Sequence, residues 1–219
     1  MKQRYARRYL IFLIGLLLNS FGVAFVTKAT LGASPIAAIP YSLSLIIPKL
    51  SLGNWTIIFS LLLLIIQAIL LRKDTKKIEL LIQVGISFIF GYFIDLSMLC
   101  LNAFSPQTYA IKLLSLLVGC VIIAFGAYLE VVADVAMLPG DAFVRAIVKV
   151  TRKTYGNIRV ISDVSMAVIA GILCLIFLHE LSGVREGTII AALITGNIIK
   201  IFTKLLKPLS NFLVPGSAQ

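Results

Sequence analysis

The chain has 219 residues, of which 60% are hydrophobic and 13% charged, and its mean hydropathy is +1.04. A soluble domain holds about 45–50% apolar and about 25% charged residues, so these values exclude a single soluble domain, a disordered chain, a collagen-like repeat and a disulfide scaffold. The net charge of +11 comes from 20 Lys+Arg against 9 Asp+Glu. The basic residues collect at segment ends, where they orient spans against a cytoplasmic leaflet. They are not interleaved with stacking aromatics, so no nucleic-acid partner is expected.

Met1 to Arg8 followed by an apolar run looks like the start of a signal peptide, but no A-x-A site follows. The run, residues 9–27, is read as a first span that is retained. Leu31-Gly32-Ala33-Ser34-Pro35 then opens a short segment, 35–48, interrupted by Pro40. Gly53-Asn54 precedes a span over 55–71, and the basic run Arg72–Lys77 leads into another over 78–97. A polar connector occupies 100–111. The second half repeats the order: a span over 112–132, a short segment over 139–150 opened by Met137-Leu138-Pro139-Gly140-Asp141, a span over 158–178 after Gly156-Asn157, and a last span over 187–203. The tail after Lys207 carries Pro208 and Pro215, and its Phe212, Leu213 and Val214 are expected at the membrane interface.

A shift of 104 residues aligns the halves: Leu10, Leu13, Gly15, Phe21, Gly22, Ala29, Pro35 and Ala38 fall on Leu114, Leu117, Gly119, Phe125, Gly126, Ala133, Pro139 and Ala142. With one-residue gaps Gly53-Asn54 meets Gly156-Asn157, and Gly91 meets Gly196. The chain is therefore divided into a first membrane repeat, 1–99, the connector, 100–111, a second repeat, 112–207, and a tail, 208–219.

The short segments decide the topology. About 12 helical residues reach about 18 Å at 1.5 Å each, well short of a hydrocarbon core of about 30 Å. The second also carries Asp141, Arg145 and Lys149, which should not face lipid. Both read as re-entrant half-helices buried in protein. Setting Arg145 aside, six spans with the N-terminus inside place 15 basic residues inside and 4 outside; eight spans, the alternative, give 13 and 6. The positive-inside rule favours six. With three spans per half the repeats are inverted, a plan common in secondary transporters. The expected fold is an all-α polytopic membrane protein with both termini cytoplasmic.

Several residues suit solute chemistry. Ser34 is placed to N-cap the first short helix, Pro35 fits its first turn and Gly32 permits close backbone approach. A buried helix start with free N–H groups suits an anionic group. Asp141 and Arg145, four apart, share a face and suit either a clamp for a zwitterion or a structural ion pair. Glu130 and Asp134, also four apart, are candidate ion-coupling acids or simply acids at a segment end. Asp163 lies inside an apolar span with Arg159 one turn away, so it is a candidate coupling residue. Arg185-Glu186-Gly187-Thr188 opens the last span, read as an interfacial charge cluster with a capping Thr188. Gly15, Gly22, Gly119 and Gly126 are helix-packing positions. Cys100, Cys120 and Cys174 form no CxxC pair, and His179 is the only histidine. No catalytic set, metal cluster, cofactor motif or Walker sequence is present, so no enzyme, metal or cofactor is expected.

Phe21-Gly22, Leu31-Gly32-Ala33-Ser34-Pro35, Pro40-Tyr41-Ser42-Leu43-Ser44, Gly53-Asn54 and the late Arg-Glu-Gly-Thr resemble the YczE/YyaS/YitT family of bacterial integral membrane proteins. The resemblance runs from about Tyr9 to Lys204 and implies a multi-pass protein of the bacterial cytoplasmic membrane. It carries no functional residues across. Three functions fit: a small-solute permease or secondary transporter, a substrate-binding membrane subunit served by a separate ATPase, and an accessory protein that moves nothing. Membrane lipid and a small solute are the expected partners, and a homo-oligomer is compatible with so small a chain.

Overall fold

A computed structural model describes residues 2–72 and 77–206, with side chains from Ala6 onward. Among these residues the structure is helical throughout, without strands: α1 Lys2–Lys28, α2 Pro35–Ile46, α3 Leu52–Leu71, α4 Lys77–Cys100, α5 Tyr109–Ala133, α6 Pro139–Thr151, α7 Tyr155–Leu178 and α8 Glu186–Leu205. Six of them are long and apolar enough to cross a membrane, and α2 and α6 are not among the six. At 12 and 13 residues the short pair reach only about 18–20 Å, which favours the six-span count over eight. The expected interfacial tail lies outside the described residues.

The centre of the molecule is an antiparallel pair, α1 and α5, brought together by glycine. A Cβ on Gly15 would stand 2.9 Å from the Gly126 carbonyl, and one on Gly22 would stand 3.0 Å from that of Gly119. Dispersion contacts replace the hydrophobic effect as the cohesive force between helices in lipid, so such backbone contact is what holds a membrane pair together. The contacts exchange between halves. Gly126 lies on Asn19 N and Gly22 on Ile123 N; Gly15 lies on Glu130 and Gly119 on Val26. Each member of these pairs is the 104-residue counterpart of the other.

The remaining helices close around this pair. α4 packs on α1 and α8 on α5, α2 lies between α3 and α7, and α6 packs on α3 and α7. Val26, Leu116, Cys120 and Ile94 fill one core region, and Leu16, Ile86, Tyr128 and Leu129 a second. Ala38, Ile39, Phe59, Leu63, Met166 and Ala170 seat α2 against α3 and α7. Ile65, Ile69, Leu81, Val164, Ile176 and Leu193 remain exposed on the outer helices, as lipid-facing positions should. One end of the bundle carries Arg8 and Asp134, which pair; the opposite end carries Lys28 and the loop that opens α8.

Candidate functional site

The two short helices begin next to each other. The Ile36 side chain, in the first turn of α2, lies directly against the Cα of Gly140 in the first turn of α6. These two positions are also 104 apart. Pro35 and Pro139 each occupy the first helical turn, where a missing N–H costs no helix bond. Pro40, buried inside α2, removes one further donor. The backbone N–H groups that open α2 and α6 are therefore gathered in the interior, between α3 and α7.

The loop that enters α2 is bound to the loop that enters α8. Thr30 and Gly32 turn the chain with φ of 58° and 100°, the latter a conformation suited to glycine. The Leu31 carbonyl accepts from Gly187 N at 2.8 Å, and Ala33 N donates to the Gly183 carbonyl at 3.3 Å. Arg185 Nη1 donates to the Thr30 carbonyl at 3.3 Å. Gly32 lies so close to Thr188 that a Cβ there would stand 2.5 Å from Thr188 Oγ1. Two hydroxyls in this region lack partners. Ser34 occupies the N-cap position but its side chain makes no cap bond, and its Oγ is buried with the residue 9% exposed. Thr188 is 2% exposed and its Oγ1 is likewise unpartnered. The expected capping by Ser34 and Thr188 is therefore not made. An unsatisfied buried hydroxyl costs about 1–3 kcal/mol.

The charged candidates sort differently from their spacing. Asp141 does not pair with Arg145. It pairs with Arg159 of α7, whose Nε also donates to Asp163 at 3.2 Å. Arg159 and Asp141 are about one-third exposed, and Asp163 is 19% exposed. Arg145 stays exposed at a shallow depression with Val148, Lys149 and Tyr155. The physical reason is dielectric: charges attract more strongly in the half-buried seam between α6 and α7 than at the exposed Arg145, and one guanidinium there serves two carboxylates with a fixed fork of donors.

Glu130 and Asp134 also part company. Glu130 is buried at 8% exposure and accepts from Asn19 Nδ2 at 3.1 Å. Asp134 is the left-handed C-cap of α5 at φ 46°, so its side chain leaves the helix face and meets Arg8 at 3.0 Å with 82% exposure. Two residues beyond those the sequence marked belong to these networks. Asn19 partners Glu130. Asp95 binds the start of α3, accepting from Gly53 N at 2.8 Å and Ser51 Oγ at 2.6 Å. The rule that singled out Asp163, an acid within an apolar span, applies equally to Asp95.

Of the two half-helices expected to be buried, α2 is largely so, whereas α6 buries one face and exposes Arg145, Lys149 and Val150; with six apolar spans they define a polytopic membrane protein. A family model described as a family of unknown function, DUF6198, matches residues 6–204. The uncharacterized membrane protein YczE of Bacillus subtilis is 31% identical over 202 residues, covering 91% of this chain and 87% of that protein. The uncharacterized protein YyaS of the same organism is 30% identical over 148 residues, covering 67% and 71%. The chain belongs to this family, together with YczE and YyaS. No solved structure matches it.

Proposed function

We propose that the protein is a small-solute permease or secondary transporter of the bacterial cytoplasmic membrane, built as an inverted duplication, with both termini cytoplasmic and an anionic or zwitterionic substrate. The observation that carries this reading is the meeting of two proline-opened half-helices, Ile36 against Gly140, between the spans α3 and α7. Discontinuous helices whose starts point into the interior are how transporters present positive dipole ends to anionic groups at membrane depth. Gly32 and Ser34 supply the close backbone and a free hydroxyl at one helix start. At the other, the Asp141–Arg159–Asp163 chain holds charge of both signs, the arrangement a zwitterion requires. Arg145 serves at the mouth of this region, where it is exposed. Glu130, held by a neutral amide and not by a cation, and Asp163 are the groups proposed to take the coupling ion. Asp134, tied to Arg8 at the surface, takes no part.

The test is thermal unfolding of the purified protein against carboxylates, amino acids, inorganic anions, vitamins, sugars and monovalent cations. A ligand that binds only the folded state raises the midpoint by mass action. The expected result is a shift with a carboxylate or amino acid that Arg159→Ala abolishes. No shift with any class removes the reading in favour of an accessory protein, and a copurifying ATPase moves it to a substrate-binding subunit.

A further inference from the structure

The two outer seams of the bundle differ, although the sequence aligns them. Between α3 and α4 the backbones interlock: a Cβ on Gly91 would stand 2.7 Å from the Gly53 carbonyl, and Ile57 packs onto the same glycine. Asp95 of α4 closes this seam by accepting from Ser51 Oγ and Gly53 N at the start of α3. The positions aligned with Gly53 and Gly91 are Gly156 and Gly196. Neither has any atom within 4 Å of where a Cβ would stand, and α7 and α8 are not packed against each other. The seams also lie at opposite ends of the bundle. Asp95 is near the end that holds Lys28. Gly156 is near the end that holds Arg8; Gly196 lies midway along α8 and Lys200 beyond it toward that end, where the Leu206 carbonyl beyond α8 accepts from Tyr128 Oη of α5 at 2.8 Å.

Chemistry explains which seam is shut. The residue aligned with Asp95 is Lys200, and the one aligned with Ser51 is Thr154, which makes no side-chain cap bond. A carboxylate against the first turn of α3 is attracted by the helix dipole, whereas an ammonium against the first turn of α7 is repelled. Asn197 and Lys200 stand exposed on α8, and such groups face water or protein in preference to hydrocarbon. On α7, Gly156, Val160 and Asp163 fall on one face by their spacing of four and three; Gly156 and Val160 are exposed, so this face runs from the start of α7 to the ion-pair chain.

We infer that the two seams are alternating gates of the path: Asp95 latches the α3–α4 gate, the α7–α8 gate stands open along Gly196, Asn197 and Lys200, and release of the latch closes the open gate. This rests on the transporter reading, and it adds the route of entry and the residue that holds the far side shut. Releasing two hydrogen bonds to a carboxylate should raise the opened population of the α3–α4 seam by about tenfold or more.

The experiment uses the full chain with Cys100, Cys120 and Cys174 replaced by alanine, reconstituted in liposomes and probed with a charged, membrane-impermeant thiol reagent. Gly196→Cys reports the open seam and Ile57→Cys the latched one. The expected result is fast reaction at Gly196→Cys and slow reaction at Ile57→Cys. Adding Asp95→Ala should raise the rate at Ile57→Cys by about tenfold and lower the rate at Gly196→Cys. Ser51→Ala, a milder change, should move both rates in the same directions and serves if Asp95→Ala does not fold. A rise at Ile57→Cys with no fall at Gly196→Cys would make Asp95 a local tie and overturn the inference, as would a Gly196→Cys as unreactive as Ile57→Cys. Solute binding without reciprocal labelling would overturn the gates alone; reciprocal labelling without solute binding would overturn the transporter reading alone.

Discussion

Gly126→Ala is the sharpest test of how the central pair is held. A Cβ at Gly126 would stand 2.6 Å from Asn19 N and 2.7 Å from the Gly15 carbonyl, where ordinary contact begins at 3.4 Å. Both obstructing atoms are backbone, so no side chain can swing aside, and α1 and α5 must part by the better part of an ångström. Overpacking of this kind costs about 1–3 kcal/mol. Alanine's better helix propensity returns about 1 kcal/mol, which obscures the loss unless it is controlled. Gly85→Ala is the control. Gly85 lies in α4 with nothing within 4 Å, so it receives the propensity gain without the clash. With about 2–4 °C of midpoint per kcal/mol for a chain of this size, Gly126→Ala should melt about 2–12 °C below Gly85→Ala. Thermal unfolding followed by Trp55 fluorescence in one detergent supplies the comparison. Equal midpoints for the two variants would refute a pair held by backbone contact.

Arg159→Ala leaves Asp141 and Asp163 without their shared cation and should destabilise by about 1–3 kcal/mol, the partial exposure of the cluster limiting the loss. In a double-mutant cycle, Arg159→Ala with Asp141→Ala should cost less than the sum of the two single changes; strict additivity in denaturant unfolding would show that the pair contributes nothing. Glu130→Gln retains an acceptor for Asn19 and should lose less than Asn19→Ala, which strands the buried Glu130 and should lose about 1–3 kcal/mol. Equal losses in the two variants would contradict the hydrogen bond as the stabilising element.

The helix order was legible because apolar run length and proline position are local properties. Pro35 and Pro139 mark the short helices, and their length separates them from spans without any knowledge of partners. The glycines at 15, 22, 119 and 126 were legible as packing positions for the same reason. Pairing of charges was not. Spacing along one helix suggested Asp141 with Arg145, but the partner, Arg159, comes from another helix 18 residues on, and only packing decides that. Glu130 and Asp134 looked like one face because the end of α5 is invisible to a spacing rule; the left-handed turn at Asp134 separates them. Asp95 was within reach of the sequence, since it lies within an apolar span, but its role depends on the start of α3, 42 residues earlier. The difference between the α3–α4 and α7–α8 seams is a tertiary fact that aligned glycines conceal.

The most direct test of solute transport is uptake of a radiolabelled panel of small carboxylates and amino acids into proteoliposomes, compared with protein-free liposomes. The expected result is that at least one member enters faster with the protein present and that Arg159→Ala removes the difference. Folded, correctly inserted protein that speeds the entry of no member of the panel would contradict it.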